Sequence, residues 1–209
     1  MSVETLPSTP EAPGAIALTV PPDQLYRFSV EQYDAMAEHG ILTEEDRVEL
    51  LEGWIISKMG RNPPHILATK LAVKHLARAV PEGWHVAKED PICTDASEPE
   101  PDISVLRGDE RDYEDRKPAP EDVGLVVEVA DSTLSDDQTY KKQIYAKAGI
   151  PFYWIVNIPD TKLLVHGDPT GPGAEPDYRR VVELGPADEV PLVLDGREVG
   201  RIAVRDLLP

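Results

Sequence analysis

The sequence predicts an α/β (α+β) chain organised on a mixed central β-sheet flanked by helices, and three observations carry that prediction. Pro63-Pro64 leads into HILATKLAVKHLARAV, where Ile66, Leu67, Ala68, Leu71, Ala72, Leu76 and Ala79 recur at helical spacing, so a long amphipathic helix is expected. The runs WHVAKEDPICT, PDISVLR, GLVVEVA and PFYWIVNI are apolar, rich in β-branched or aromatic residues and bounded by turn formers, and read as strands. Between the last two, DSTLSDDQTYKKQIYAKAG reads as a loop and a helix stopped by Gly149. A strand-helix-strand crossover of this kind joins parallel strands, so the sheet mixes one parallel pair with antiparallel ones.

The remaining elements follow in chain order. Residues 1–24 are rich in Pro, Ser, Thr and Glu and predict a flexible tail ahead of a single domain over 25–209. Ser29 and Gln32 form a capping-box pattern before YDAMAEHG, and Gly40 is a natural stop. Thr43 and Asp46 repeat that pattern more weakly and suggest helical character from Thr43 to Leu51. VELLEGWIISKM turns strand-like, with Glu52-Gly53 as a tight turn between two extended pieces. The long helix carries Lys70, Lys74, His75 and Arg78 on its exposed face, and the loop GDERDYEDRKPAPED is too polar for a core. After PFYWIVNI, the pieces KLLVHG, YRRVVEL, VPLVLDG and REVGRIAV add further strands.

Composition narrows the functional classes. With 39 acidic against 21 basic residues the formal net charge is -18, so nucleic acid is repelled on average and any binding to it needs a local basic patch. Cys93 is the one cysteine, which rules out an intramolecular disulfide and suits a reducing cytoplasm. The N-terminal stretch has no basic n-region and no run approaches the length of a membrane span, so no membrane role is expected.

The chemistry lies in polar residues on apolar strands. Asp102 follows Pro101 at the start of ISVL, and Glu128 sits among Val126, Val127 and Val129. Buried carboxylates are expensive unless a cation compensates them. Two converging acids are enough to hold a hard divalent ion such as Mg2+, which points to metal-assisted phosphodiester chemistry. Asp137, Lys141 and Tyr145 are spaced by four on the following helix, so Lys141 can reach the carboxylates. Taken singly, these residues also fit structural ion pairs. Tyr153 and Trp154 fit base stacking, but more naturally a core or a dimer seam.

The segments RVELLEGWI, PPH, PDISV, VVEVADST and DQTYKKQIYAKAGIPFYWIVN together resemble the Uma2 (DUF820) family over about residues 26–209. The resemblance implies a restriction-endonuclease-like core with additional β-strands, of the PD-(D/E)XK type. It implies Asp102 and Glu128 as metal-binding acids, Glu49 as a further acid from an N-terminal helical region, Lys141 as the catalytic lysine and His65 as the histidine after the proline pair. In the ordinary signature the lysine lies two residues after the acid, where this chain has Ala130; Lys141 on the helix is the matching position. Ala130-Asp131 stands in place of the family's common Ser-Pro, and Asn157 in place of a frequent Asp. The function expected is that of an Mg2+-dependent endonuclease, with Mn2+ as a substitute. In it Asp102, Glu128 and the Val129 carbonyl hold the metal, while Asp137 and Tyr145 assist. DNA is the expected substrate and a homodimer the expected assembly. The rival readings are a non-catalytic interaction or DNA-processing accessory protein on the same fold, and a small-nucleotide phosphodiesterase with a closed pocket. A basic groove of Lys70, Lys74, Arg78 and Lys142 beside the acids would favour the nuclease.

Overall fold

Ser29 opens the first helix as its capping box predicts. In the computed structural model its hydroxyl accepts the Gln32 N–H at 3.3 Å and the Gln32 side chain accepts the Ser29 N–H at 3.0 Å, starting α1 (Val30–Glu38). The structure describes residue 21 and residues 24–209 apart from 44, 132 and 133, so the expected flexible tail falls outside the described residues save for 21 and 24.

The helix expected from Thr43 to Leu51 is replaced by a turn and a strand. Asp46 does accept from the Thr43 N–H at 2.7 Å and hydroxyl at 2.9 Å, but this closes a local turn, after which the chain extends into β1 (Val48–Leu51). A side chain that bonds nearby backbone competes with helix as readily as it caps one. The strand wins here because Leu50 and Leu51 bury against neighbouring elements. β1 pairs antiparallel with β2 (Trp54–Ser57) through the expected Glu52-Gly53 turn, both residues having positive φ, +49° and +82°. That is the conformation a two-residue hairpin loop requires. Gly53 is doubly constrained, since a Cβ there would stand 2.7 Å from the Arg27 Cβ.

Asn62 caps α2 (Pro63–Ala79) by accepting the His65 N–H at 3.1 Å, and the two prolines fill the first helical positions, where no N–H is needed. The buried stripe is Ala68, Thr69, Ala72 and Leu76. Ile66 and Leu67, counted on the apolar face from sequence, lie off that stripe by one to two residues and are exposed.

The central sheet has six strands in the order β3 (Trp84–Ala87), β4 (Ile103–Arg107), β5 (Val123–Ala130), β6 (Phe152–Asn157), β7 (Lys162–Pro169) and β8 (Tyr178–Leu184). Only β5 and β6 are parallel, joined by the expected crossover. That crossover holds α3 (Leu134–Asp136), a π-helical turn (Asp137–Lys141) and α4 (Lys142–Lys147). β9 (Glu189–Leu194) and β10 (Arg197–Ala203) form a separate hairpin. α2 and that hairpin cover one sheet face, packing on Ile103, Val105, Val127, Val129 and Trp154. Tyr145 and Ala146 of α4 cover the other, on Val126, Ala130, Tyr153 and Ile155. Tyr153 and Trp154 are therefore core residues and stack no base.

His166 on β7 lies buried between the rings of Tyr153 and Tyr178, with neither ring nitrogen hydrogen-bonded. Burial, aided by the Lys142 charge and opposed by Asp177, lowers its pKa from 6.5 to about 4. The ring is thus neutral in the fold but titrates normally in the unfolded chain. Its contribution to stability is present above pH 6.5 and is lost as the pH falls towards 4. Urea denaturation between those limits should show wild type losing about 2 kcal/mol more than His166→Leu, after allowance for solvent reaching the ring. Parallel curves for the two proteins would refute this.

Candidate active site

The β4–β5 register pairs Ile103 with Val127 and Ser104 with Val126. Extended by one residue, it sets Asp102 directly opposite Glu128, on the face covered by α4. Two like charges in that relation destabilise a sheet unless something lies between them. Asp102 Oδ2 accepts the Val129 N–H at 2.8 Å, and Glu128 Oε2 accepts the Asp102 N–H at 3.4 Å, so each carboxylate fixes the other's strand. Lys141 Nζ supplies the countercharge, 2.9 Å from Glu128 Oε1, which also accepts the Tyr145 hydroxyl at 2.9 Å.

Glu49 converges on the same point, but from β1 and not from a helical region. It is buried, accepts the Glu100 N–H at 3.1 Å through Oε2 and lies 3.6 Å from Lys141 Nζ. Asp137 Oδ1 is 3.9 Å from Lys141 Nζ, and His65 Nε2 is 3.2 Å from Asp102 Oδ2. The spacing of four between Asp137 and Lys141 spans the π-helical turn, a distortion frequent at functional sites. Asn62 donates to Asp131, tying the start of α2 to the end of β5.

Three carboxylates thus lie within 3.9 Å of one ammonium, and Asp102 faces Glu128 beside them. Burial pushes the Glu128 carboxyl up to about 8; Lys141 opposes the rise, while Asp102, Asp137 and Glu49 reinforce it. Burial alone would lower the Lys141 pKa, but Glu128, Glu49 and Asp137 outweigh it and hold the ammonium above its ordinary value. Burial also disfavours the Asp102 anion, yet His65, the Val129 N–H and Lys141 together keep its carboxyl below the usual range. The Tyr145 hydroxyl is raised well above its ordinary value, first by burial and then by Glu128, so it remains a donor.

These groups open on a cleft of about 130 Å³, lined also by Arg47, Lys58 and Arg61. With Lys141, those three are the lysine and arginine residues lining the cleft. Lys70, Lys74, Arg78 and Lys142, the groove expected from sequence, do not line the cleft: the first three are exposed along α2, and Lys142 pairs with Asp177 at 2.7 Å. Sequence held the missed signal, because the hairpin turn at Glu52-Gly53 fixes a register that places Arg47 opposite Lys58. The Lys58 N–H donates to the Arg47 carbonyl at 2.8 Å.

Among the described residues no three His, Cys, Asp or Glu side chains form a ready metal cage, and no helix is long and apolar enough to cross a membrane. A comparison with curated proteins gives no match. Of the solved structures, one titled as a "putative nuclease belonging to DUF820", from Anabaena variabilis ATCC 29413, is similar with a TM-score of 0.61 and 18% sequence identity, over 86% of this chain and 97% of that one. This likeness shows a shared fold. The family model described as "Uma2: Putative restriction endonuclease" matches residues 30–204, and the chain belongs to the Uma2 family.

Proposed function

We propose that the protein is a divalent-metal-dependent endonuclease that hydrolyses phosphodiester bonds, with DNA as substrate. The observation that carries this reading is the facing pair Asp102 and Glu128 with the Lys141 ammonium 2.9 Å from Glu128. The family's description supports nuclease chemistry and is in keeping with DNA as the substrate.

The donor set fits Mg2+ or Mn2+. Asp102 and Glu128 would hold the ion, with the backbone carbonyl of Val129. Two further steps along the β4–β5 register from the Ile103–Val127 pair, Val129 faces Pro101, which has no N–H, so no ladder hydrogen bond can reach that carbonyl from the opposing residue. Two carboxylates, a carbonyl and waters are a usual magnesium shell, which explains why no three-side-chain cage is needed. When bound, such an ion neutralises phosphate charge and acidifies water.

The chain's own residues do the rest. Lys141, held charged by its acidic neighbours in the metal-free protein, donates to the attacking water and to the phosphoryl oxygens. Tyr145 and Glu49 keep Lys141 and Glu128 in register, and His65 does the same for Asp102. The test is cleavage of supercoiled plasmid and single-stranded DNA in Mg2+ or Mn2+. Metal-dependent cleavage that falls by about a hundredfold or more in Asp102→Asn is expected. Absence of cleavage with every metal would leave the non-catalytic binding role, which the net charge of -18 favours.

A further inference from the structure

A second cavity, about 760 Å³, adjoins the carboxylate cleft, and Arg47, Lys58, Arg61 and Glu100 line both. Its far wall is largely apolar, with Tyr33, Leu42, Val48 and Pro91. The three cations are concentrated here in a chain whose overall charge is strongly negative. Arg47 and Lys58 stand opposite each other across the β1–β2 hairpin, a like-charge pairing that destabilises a hairpin unless an anion offsets it. Carboxylates provide that offset: Lys58 pairs with Glu100, and Arg61 lies 2.6 Å from Glu89 and 4.0 Å from Asp102.

We propose that this second cavity seats the nucleotide next to the scissile phosphate, so that the substrate is a single polynucleotide strand and not an intact duplex. The inference rests on the phosphodiesterase reading of the neighbouring cleft and deepens it. Asp102 and Glu128 are 10% and 4% exposed in their side chains, so a phosphate must descend into a cleft of about 130 Å³ to meet them. That space suits one phosphodiester link. A base-paired strand is held stacked beside its complement and cannot turn inward, whereas a free strand can. The apolar wall offers contact to sugar and base, and Arg47, Lys58 and Arg61 offer charge to the flanking phosphates. Glu100 holds Lys58 and Glu89 holds Arg61 in the free protein, and entering phosphates take their place.

The test is fluorescence anisotropy of the full chain in EDTA with a labelled single-stranded oligodeoxynucleotide and with the blunt duplex of the same sequence, alongside cleavage in Mg2+. The strand should bind about tenfold tighter than the duplex. Arg47→Asn, chosen because Asn tolerates the +46° φ at this position, should weaken strand binding about fivefold or more. Glu89→Gln, which removes the competing anion, should tighten it, whereas loss of a merely structural ion pair would not. Equal or tighter duplex binding, or indifference to both substitutions, overturns the proposal. Metal-dependent plasmid nicking without strand preference would do so while leaving the endonuclease reading intact. Strand preference with both variant effects but no cleavage would support the subsite and overturn the catalytic reading.

Discussion

Lys141→Met is expected to destabilise the fold by about 3–5 kcal/mol at pH 8 and to abolish cleavage, because removing one partner of a buried ion pair leaves the other uncompensated. Lys141 is 13% exposed and lies 2.9 Å from Glu128, 3.6 Å from Glu49 and 3.9 Å from Asp137. No second lysine or arginine is within ion-pair distance of Glu128 or Glu49 among the described residues. The pH dependence is diagnostic. Without the ammonium, the buried Glu128 carboxyl takes up a proton more readily than in the unfolded chain, so the deficit is small near pH 5 and grows as the pH rises. Mg2+ should restore more stability to the variant than to wild type, because the ion replaces the missing charge. Urea midpoints of the two proteins that coincide at pH 8 would show that water already solvates these acids and that the ammonium does not compensate them.

Glu128→Gln should behave in the opposite way. We expect cleavage to fall about a thousandfold while the fold stays within about 1 kcal/mol of wild type at neutral pH. The amide keeps an oxygen for the Tyr145 hydroxyl, and Lys141 retains Glu49 and Asp137. Because burial pushes the wild-type carboxyl up to about 8, the stability it contributes in protonated form is present below the ordinary carboxyl value and lost as the pH climbs through 8. The variant lacks that loss and should overtake wild type in alkaline buffer. Denaturation curves at pH 6 and 9 read this directly. A variant that is less stable at both would mark Glu128 as a structural acid.

Much of this site was legible in the chain, and the reasons are local. Asp102, Glu128 and Lys141 announced themselves because a charge inside an apolar strand run, or at a fixed interval along a helix, stands out against its immediate neighbours. The β5-to-β6 crossover was legible for the same reason, since its helix and both strands carry strong periodicity. Glu49 was placed on the wrong kind of element because Thr43 and Asp46 resemble a helix start and only the burial of Leu50 and Leu51 decides for a strand. The cleft cations were missed because composition drew the eye to α2, where Lys70 and Lys74 are numerous but face away. Arg47 and Lys58 become neighbours only through hairpin register, a two-dimensional property that a linear scan does not display. The π-helical turn at Asp137–Lys141 has no sequence signature in a run that reads as regular helix.

The bridge between Leu50 and Glu98, with the Glu98 N–H on the Leu50 carbonyl, fastens the β1–β2 hairpin to the chain that leads into β4. Together with the Gly53 N–H on the Ala96 carbonyl and the Glu100 N–H on Glu49 itself, that fastening brings Glu49 to the other three groups, which come from the start of β4, from β5 and from the crossover. The proposed catalytic constellation is therefore a property of the finished tertiary structure, in which segments far apart along the chain meet.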